Sequence, residues 1–359
     1  MPETAIDVQT AVASAETIRA RGVSPAWAVA AVAFLVVSLA VGLLAGPVDI
    51  GAGDALRSLL SHLGLSTTNP LDATSDTVLW DLRAPRVVLA ALVGGMLAIA
   101  GGTYQGVFHN PLADPYLLGV AAGAGLGATL AIAYLPHALS GHKLLPVAAF
   151  VGGALAVVVT WTVGHSAGRE RDATTFVLAG VVVASFFTAV QTFVQQQNAD
   201  TLQEVYSWIL GTLPSSGWSD VYLLAPYVVV ATGVILAYRR VLDVLSLGDT
   251  EAASLGVDVG RARLLLVAAA TIGTAAAVAV SGLIAFVGII VPHTIRLLVG
   301  TSYRGLLPLS FVVGAGFLVL CDVIARTVLS PAELPIGVVT AFFGAPFFVV
   351  ALRSLRGRP

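Results

Sequence analysis

Long apolar runs recur ten times along this chain, and no other feature restricts its fold as tightly. They cover residues 27–44, 87–108, 117–135, 145–163, 175–195, 221–238, 264–280, 285–298, 306–328 and 336–352. About 20 apolar residues carry a helix across the hydrocarbon core of a bilayer. Inside that core every backbone N–H and C=O needs a partner within the protein, so only helices and closed barrels can span it. Runs of this length are too long for barrel strands. The chain therefore reads as an all-α polytopic membrane protein with about ten transmembrane helices. The eighth run is the shortest and contains Pro292, which predicts a kinked or partly re-entrant segment there.

The charges set the orientation. Only 11% of the 359 residues are charged, against about 25% in a soluble domain. Cytoplasmic loops of membrane proteins collect lysine and arginine. With the N-terminus inside, thirteen of the 18 basic residues fall on the cytoplasmic side and five (Arg57, Arg83, Arg86, Lys143 and Arg326) on the outer side. Both termini are then cytoplasmic, which an even helix count requires. Residues 1–24 are polar and lack the basic-then-apolar order of a cleaved signal, so they read as a cytoplasmic tail ahead of one membrane domain over 25–359. Cys321 is the only cysteine, which excludes an intrachain disulfide and a cysteine metal cluster. A net charge of −2 gives no reason to expect nucleic acid as a partner. No G-x-x-x-x-G-K-[ST] loop occurs, so ATP hydrolysis would have to come from another subunit.

Three connections carry patterns of their own. In 46–82, Leu56, Leu59, Leu60 and Leu63 follow helical spacing opposite Asp54, Arg57 and Ser61, which predicts an amphipathic helix on the outer interface. A second short outer helix is expected over 202–210, closed by Gly211 and Pro214. The main cytoplasmic loop, 239–263, contains L-S-L-G-D-T-E-A-A-S-L-G-V. There Asp249 is placed to cap a short helix, Glu251 sits in its first turn, and Gly256 can end it in a left-handed conformation.

The most specific stretch is 83–127, which reads R-x-P-R, then Q-G-x-x-x-N-P-L-A-D-P, then L-L-G-V. Together with A-E-L-P-I-G-V at 332–338, it resembles the permeases that import ferric siderophores, cobalamin and haem, the FecCD family of type II ABC importers. The resemblance runs from about residue 80 to the C-terminus and more loosely over the first helix. It implies the transmembrane subunit of an importer in the bacterial cytoplasmic membrane. Two ATP-binding cassette ATPase subunits, a second permease copy, and a periplasmic or lipid-anchored substrate-binding protein are the implied partners. The cargo would be a ferric siderophore first, with cobalamin or haem behind it.

The same resemblance assigns roles to particular residues. Arg83, Arg86 and Arg326 fall where the family engages acidic residues of its binding protein; interfacial snorkelling, with Asp322 pairing Arg326, is the plainer alternative. Within a coupling loop at 241–262, Leu247, Gly248, Asp249, Ala252, Leu255 and Gly256 would form the helix that docks on the ATPase. Asn110 and Leu112 would belong to an inner gate, with Ala173, Thr174 and Thr175 as a second one; Ala173 departs from the polar pattern expected there. Gln191 and Gln195 would lie near the central passage, though interhelical hydrogen bonding explains them equally well. Gly94, Gly95, Gly101, Gly102, Gly337 and Gly344 read as helix-packing positions. Six histidines show no ligand spacing, so no metal site and no cofactor are expected.

Two other classes compete. An ion-coupled secondary transporter of a small solute should show buried mid-membrane carboxylates and inverted repeats. The carboxylates here sit mainly in loops or at helix ends. A membrane-embedded enzyme needs nucleophiles, carboxylates or histidines converging at one depth, and the sequence has no such set.

Overall fold

The computed structural model describes residues 24–65, 69–135, 144–166, 173–213 and 217–356. The expected tail at 1–24 lies outside them apart from Ser24. Among the described residues the regular structure is all helical. In chain order the elements are α1 (Pro25–Leu44), α2 (Ala52–His62), α3 (Ala73–Val107), α4 (Val120–Tyr134), α5 (Leu144–Ser166) and α6 (Ala173–Gln197). They continue with α7 (Leu202–Ile209), α8 (Trp218–Ala237), α9 (Arg239–Leu245) and α10 (Asp249–Ser254). The last four are α11 (Val259–Ser281), α12 (Val287–Val299), α13 (Tyr303–Thr327) and α14 (Ile336–Arg356).

Seven of these helices are long and apolar enough to cross a bilayer: α1, α3, α5, α6, α8, α11 and α13. The apolar parts of α4, α12 and α14 are shorter. Seven long helices and three shorter apolar ones together match the expected count of about ten. α12 has 13 residues, about 20 Å against a core of about 30 Å. It starts after a break at 282–286 in which Phe286 takes φ 70°, and Pro292 lies inside it. α4 begins at Val120, three residues later than the apolar run, because 108–119 is irregular and ends on Gly119 at φ 83°. α3 errs in the other direction. It starts at Ala73, where the Asp72 carboxylate accepts from Thr74 N (3.2 Å) and Ser75 N (3.4 Å), and it carries a π-helical stretch over Val78–Arg83. Its first turns are polar, so hydropathy could not find them.

α3 is the axis of the bundle. It packs on α8, α11, α12 and α13, and 83% of its most apolar window is buried, against 17% for α1 at the periphery. Helices in lipid gain nothing from leaving water, so close van der Waals approach has to hold them. A Cβ at Gly101 would lie 1.9 Å from the Gly288 oxygen, and one at Gly94 would lie 2.3 Å from the Gly314 oxygen. Any side chain at those positions drives α3 away from α12 or α13.

The two irregular stretches, 108–119 and 282–286, meet through one side chain. The Tyr116 hydroxyl donates to Ile284 O (3.0 Å) and accepts from Ile284 N (3.1 Å). Ile284 is buried, and without Tyr116 both its backbone groups would lack these partners.

Candidate functional site

At the outer end, three arginines from two helices converge where α1 stops. The last carbonyls of any helix lack intrahelical donors. Here guanidinium groups supply them. Arg83 Nη1 donates to Leu43 O (3.1 Å) and Leu44 O (3.2 Å), and its Nη2 donates to Val48 O (2.6 Å). Arg326 Nη1 donates to Ala45 O (2.9 Å), and its Nη2 to Gly42 O. Arg86 binds carboxylates: its Nε and Nη2 lie 3.0 and 2.9 Å from Asp322 Oδ1, and its Nη1 and Nη2 lie 3.0 and 2.8 Å from the Glu333 oxygens. Asp322 is 1% exposed and also pairs with Arg326 Nε at 3.4 Å, the i,i+4 contact foreseen from the sequence.

The three arginines are therefore neighbours, as their roles in a common surface would need, but all three are largely buried, the Arg86 and Arg326 side chains being 11% and 9% exposed. Arg83 is only 5% exposed and spends its donors on backbone. Glu333, at 51%, is the member of the set that reaches solvent. It stands in the A-E-L-P-I-G-V string, where nothing local ties it to Arg86, 247 residues away. Nearby, His62 stacks on Trp80 at 4.4 Å and Trp80 leans on Trp218, which joins α2 to the outer ends of α3 and α8.

At the inner end, α9 and α10 form a compact lever. Gly248 is the N-cap of α10 at φ 120°, so the expectation that Asp249 caps it is corrected. Asp249 instead opens the helix and pairs with Arg263 at 2.9 Å. The other end is as expected. Gly256 takes φ 84°, with Val257 N on Ala252 O (3.1 Å) and Gly256 N on Ala253 O (3.0 Å), a Schellman closure. Ala252 is fully buried beneath this turn, whereas Leu247 and Leu255 are 63% and 65% exposed. Two exposed leucines flank a rigid, capped helix. Asp243 holds the lever to α13: it accepts from Tyr303 N (2.6 Å) and Ser302 Oγ (3.1 Å) and pairs with Arg304 (3.3 Å). No local signal in the sequence joins Asp243 to residues 59–61 positions later.

The turn after α3 is built by its own side chains. Asn110 Oδ1 accepts from Leu112 N (2.9 Å), and Asp114 Oδ1 accepts from Tyr116 N (2.8 Å). Asp114 is partly open at its surface yet closely surrounded by protein, and this desolvation pushes its carboxyl up to about 6 from 3.8. Between those values the folded chain holds a proton that the unfolded chain releases, so this group's contribution is most favourable below pH about 4 and is lost as pH rises through about 6. Asp114→Asn keeps the acceptor for Tyr116 and removes the charge. It is expected to raise the thermal midpoint at neutral pH, with the gain shrinking towards pH about 4. An unchanged midpoint across that range would contradict the assignment.

The remaining predicted residues lie apart. Ala173, Thr174 and Thr175 form the first turn of α6, with Thr175 half-buried; the side chains of Ala173 and Thr174 are outside the described set. Gln191 is buried against α4, where a Cβ on Gly125 would lie 3.0 Å from its Oε1, so its amide faces a helix of its own subunit. Gln195 is half-buried. Among the described residues no group of three or more His, Cys, Asp or Glu is arranged to hold a metal ion.

An all-helical bundle with a capped inner lever and an arginine-bound outer rim is the form of a permease subunit of an ABC importer, a multi-pass membrane protein. The chain belongs to the FecCD transport family, whose model matches residues 34–354. It is 42% identical to the cobalamin import system permease protein BtuC of Halobacterium salinarum, over 78% of this chain and 74% of that one. It is 34% identical to the Fe(3+) dicitrate transport system permease protein FecC of Escherichia coli, over 85% of this chain and 90% of that one. Among solved structures it is similar to an inward-facing ABC transporter assigned to the metal-chelate type, with TM-score 0.80, 28% identity, and coverage of 92% of this chain and all of the other.

Proposed function

We propose that this subunit passes a metal chelate across the membrane, a ferric siderophore first and cobalamin or haem next, under the power of two separate ATPase subunits. A second copy of the chain completes the passage, and a substrate-binding protein delivers the cargo from outside. The observation that carries this reading is the inner lever. A buried Ala252 and a closed turn at Gly256 fix α10, while Leu247 and Leu255 stand exposed beside it. Exposed leucines on a rigid helix suit an apolar groove on a partner far better than they suit water.

Asn110 and Leu112, with Ala173, Thr174 and Thr175, form the inner gate in this reading, and Gln191 and Gln195 lie near the passage. At the outer rim Arg86 and Glu333 present charge to the binding protein, while Arg83 and Arg326 hold the rim's shape. The subunit hydrolyses no ATP itself. Relatives named for cobalamin and for iron(III) dicitrate support a chelate as cargo.

The test is uptake into vesicles holding the permease, its cognate ATPase and its binding protein, with ferric hydroxamate, ferric citrate, cobalamin and haemin offered in turn. ATP-dependent accumulation of one of them is expected. Accumulation driven by a proton or sodium gradient without the ATPase would overturn the reading in favour of a secondary transporter.

A further inference from the structure

The geometry points to His109 as the strut that makes the inner turn move with the ATPase lever. This rests on the roles proposed above for 108–119 and for α9–α10. α3 ends in a Schellman closure: Asn110 N bonds Gln105 O (3.2 Å) and His109 N approaches Gly106 O (3.4 Å). The left-handed position of such a closure normally holds glycine, as it does at Gly256. Here it holds His109, at φ 50°. A left-handed non-glycine residue costs about 1–2 kcal/mol, so the ring has to return something a hydrogen atom cannot.

What the ring does is specific. His109 Nε2 lies 2.7 Å from Leu245 O, the last carbonyl of α9. The same oxygen accepts from Gly248 N at 3.1 Å, and Gly248 is the N-cap of α10. One carbonyl thus joins the residue preceding Asn110 to the residue preceding the lever helix. Leu245 and Leu242 are buried on the bundle, and a Cβ on Gly106 would lie 2.9 Å from Leu242, so α9 and the end of α3 already touch. Packing of that kind permits sliding. The hydrogen bond opposes it, because sliding would break the bond before the leucines lost contact. A donor at the C-terminus of a short helix also lies where the helix dipole favours it. The strut therefore passes displacement of α10 to Asn110 and Leu112 without passing through α11.

The readout is a thiol on the gate turn. Leu112→Cys is placed in a Cys321→Ser background, and the permease is reconstituted with its cognate ATPase. Maleimide labelling is then compared without nucleotide and after trapping with ATP and vanadate. With His109 present, trapping is expected to change the labelling rate. His109→Gly relieves the left-handed backbone and removes the donor, so it is expected to hold or raise the thermal midpoint while shrinking that change about fivefold or more. His109→Gln, whose amide nitrogen reaches where Nε2 stood, is expected to restore it; His109→Asn, reaching only as far as Nδ1, is not. If the glycine variant fails to assemble, the Gln–Asn contrast decides alone. A glycine variant that responds like the parent, or Gln and Asn variants that respond alike, would sink the strut. Failure of the ATPase to bind the parent permease would instead count against the proposed function.

Discussion

Asp322→Ala is expected to be the most destabilising single change at the outer rim. It removes the buried carboxylate shared by Arg86 and Arg326, leaving Arg326 with no carboxylate partner and Arg86 with the half-exposed Glu333 alone. Breaking a buried ion pair from one side costs about 3–5 kcal/mol, because the remaining charge is uncompensated. Glu333→Gln removes the other partner of Arg86, but from a position that is 51% exposed, where such pairs contribute about 0–1 kcal/mol. Unfolding of both variants in the same detergent or nanodisc tests the contrast. Adding Arg326→Met to Asp322→Ala should recover part of the loss, since it removes the guanidinium left with no carboxylate partner. Equal, small effects of the two single changes would mean that the rim is not organised around Asp322.

The second large effect concerns the lever. Leu247→Asp combined with Leu255→Asp leaves Ala252 and the Gly256 closure in place, so the permease should keep its thermal midpoint. Each leucine, if it anchors in a groove, is worth about 1–2 kcal/mol of association, so the pair should weaken ATPase binding about 30-fold or more. Pull-down or biolayer measurements with the cognate ATPase check this directly. Retained affinity would leave the exposed leucines without a partner and would remove the main support for the lever.

Much of this architecture was legible from residues alone, for definable reasons. Apolar length found the long spans, and helical leucine spacing found α2 at Ala52–His62. Gly256 announced its own left-handed turn, because few other residues take that conformation cheaply. Long-range contacts were not legible in the same way. Arg83 and Arg326 look like cations offered to a partner, yet each spends its donors on carbonyls near the end of α1, about 40 and 280 residues away in the chain. Gln191, which the sequence allows either to line a passage or to bond between helices, packs against Gly125. Asp243, Glu333 and Tyr116 were invisible as functional groups because their partners lie 59, 247 and 168 positions off. His109 carried no signal either; a histidine before Asn-Pro reads as an ordinary turn residue until its φ angle is seen.

The phenol of Tyr116 has a further consequence. It rivets two non-helical stretches together by both the amide and the carbonyl of Ile284. Each of those groups, stripped of its partner in a dry interior, would cost about 1–3 kcal/mol. An alternating cycle that tore them apart on every turnover would waste the stroke that drives it. Whatever swings when this protein opens and shuts should therefore pivot about that rivet, leaving the ends of the helices to travel while the middle stays fastened.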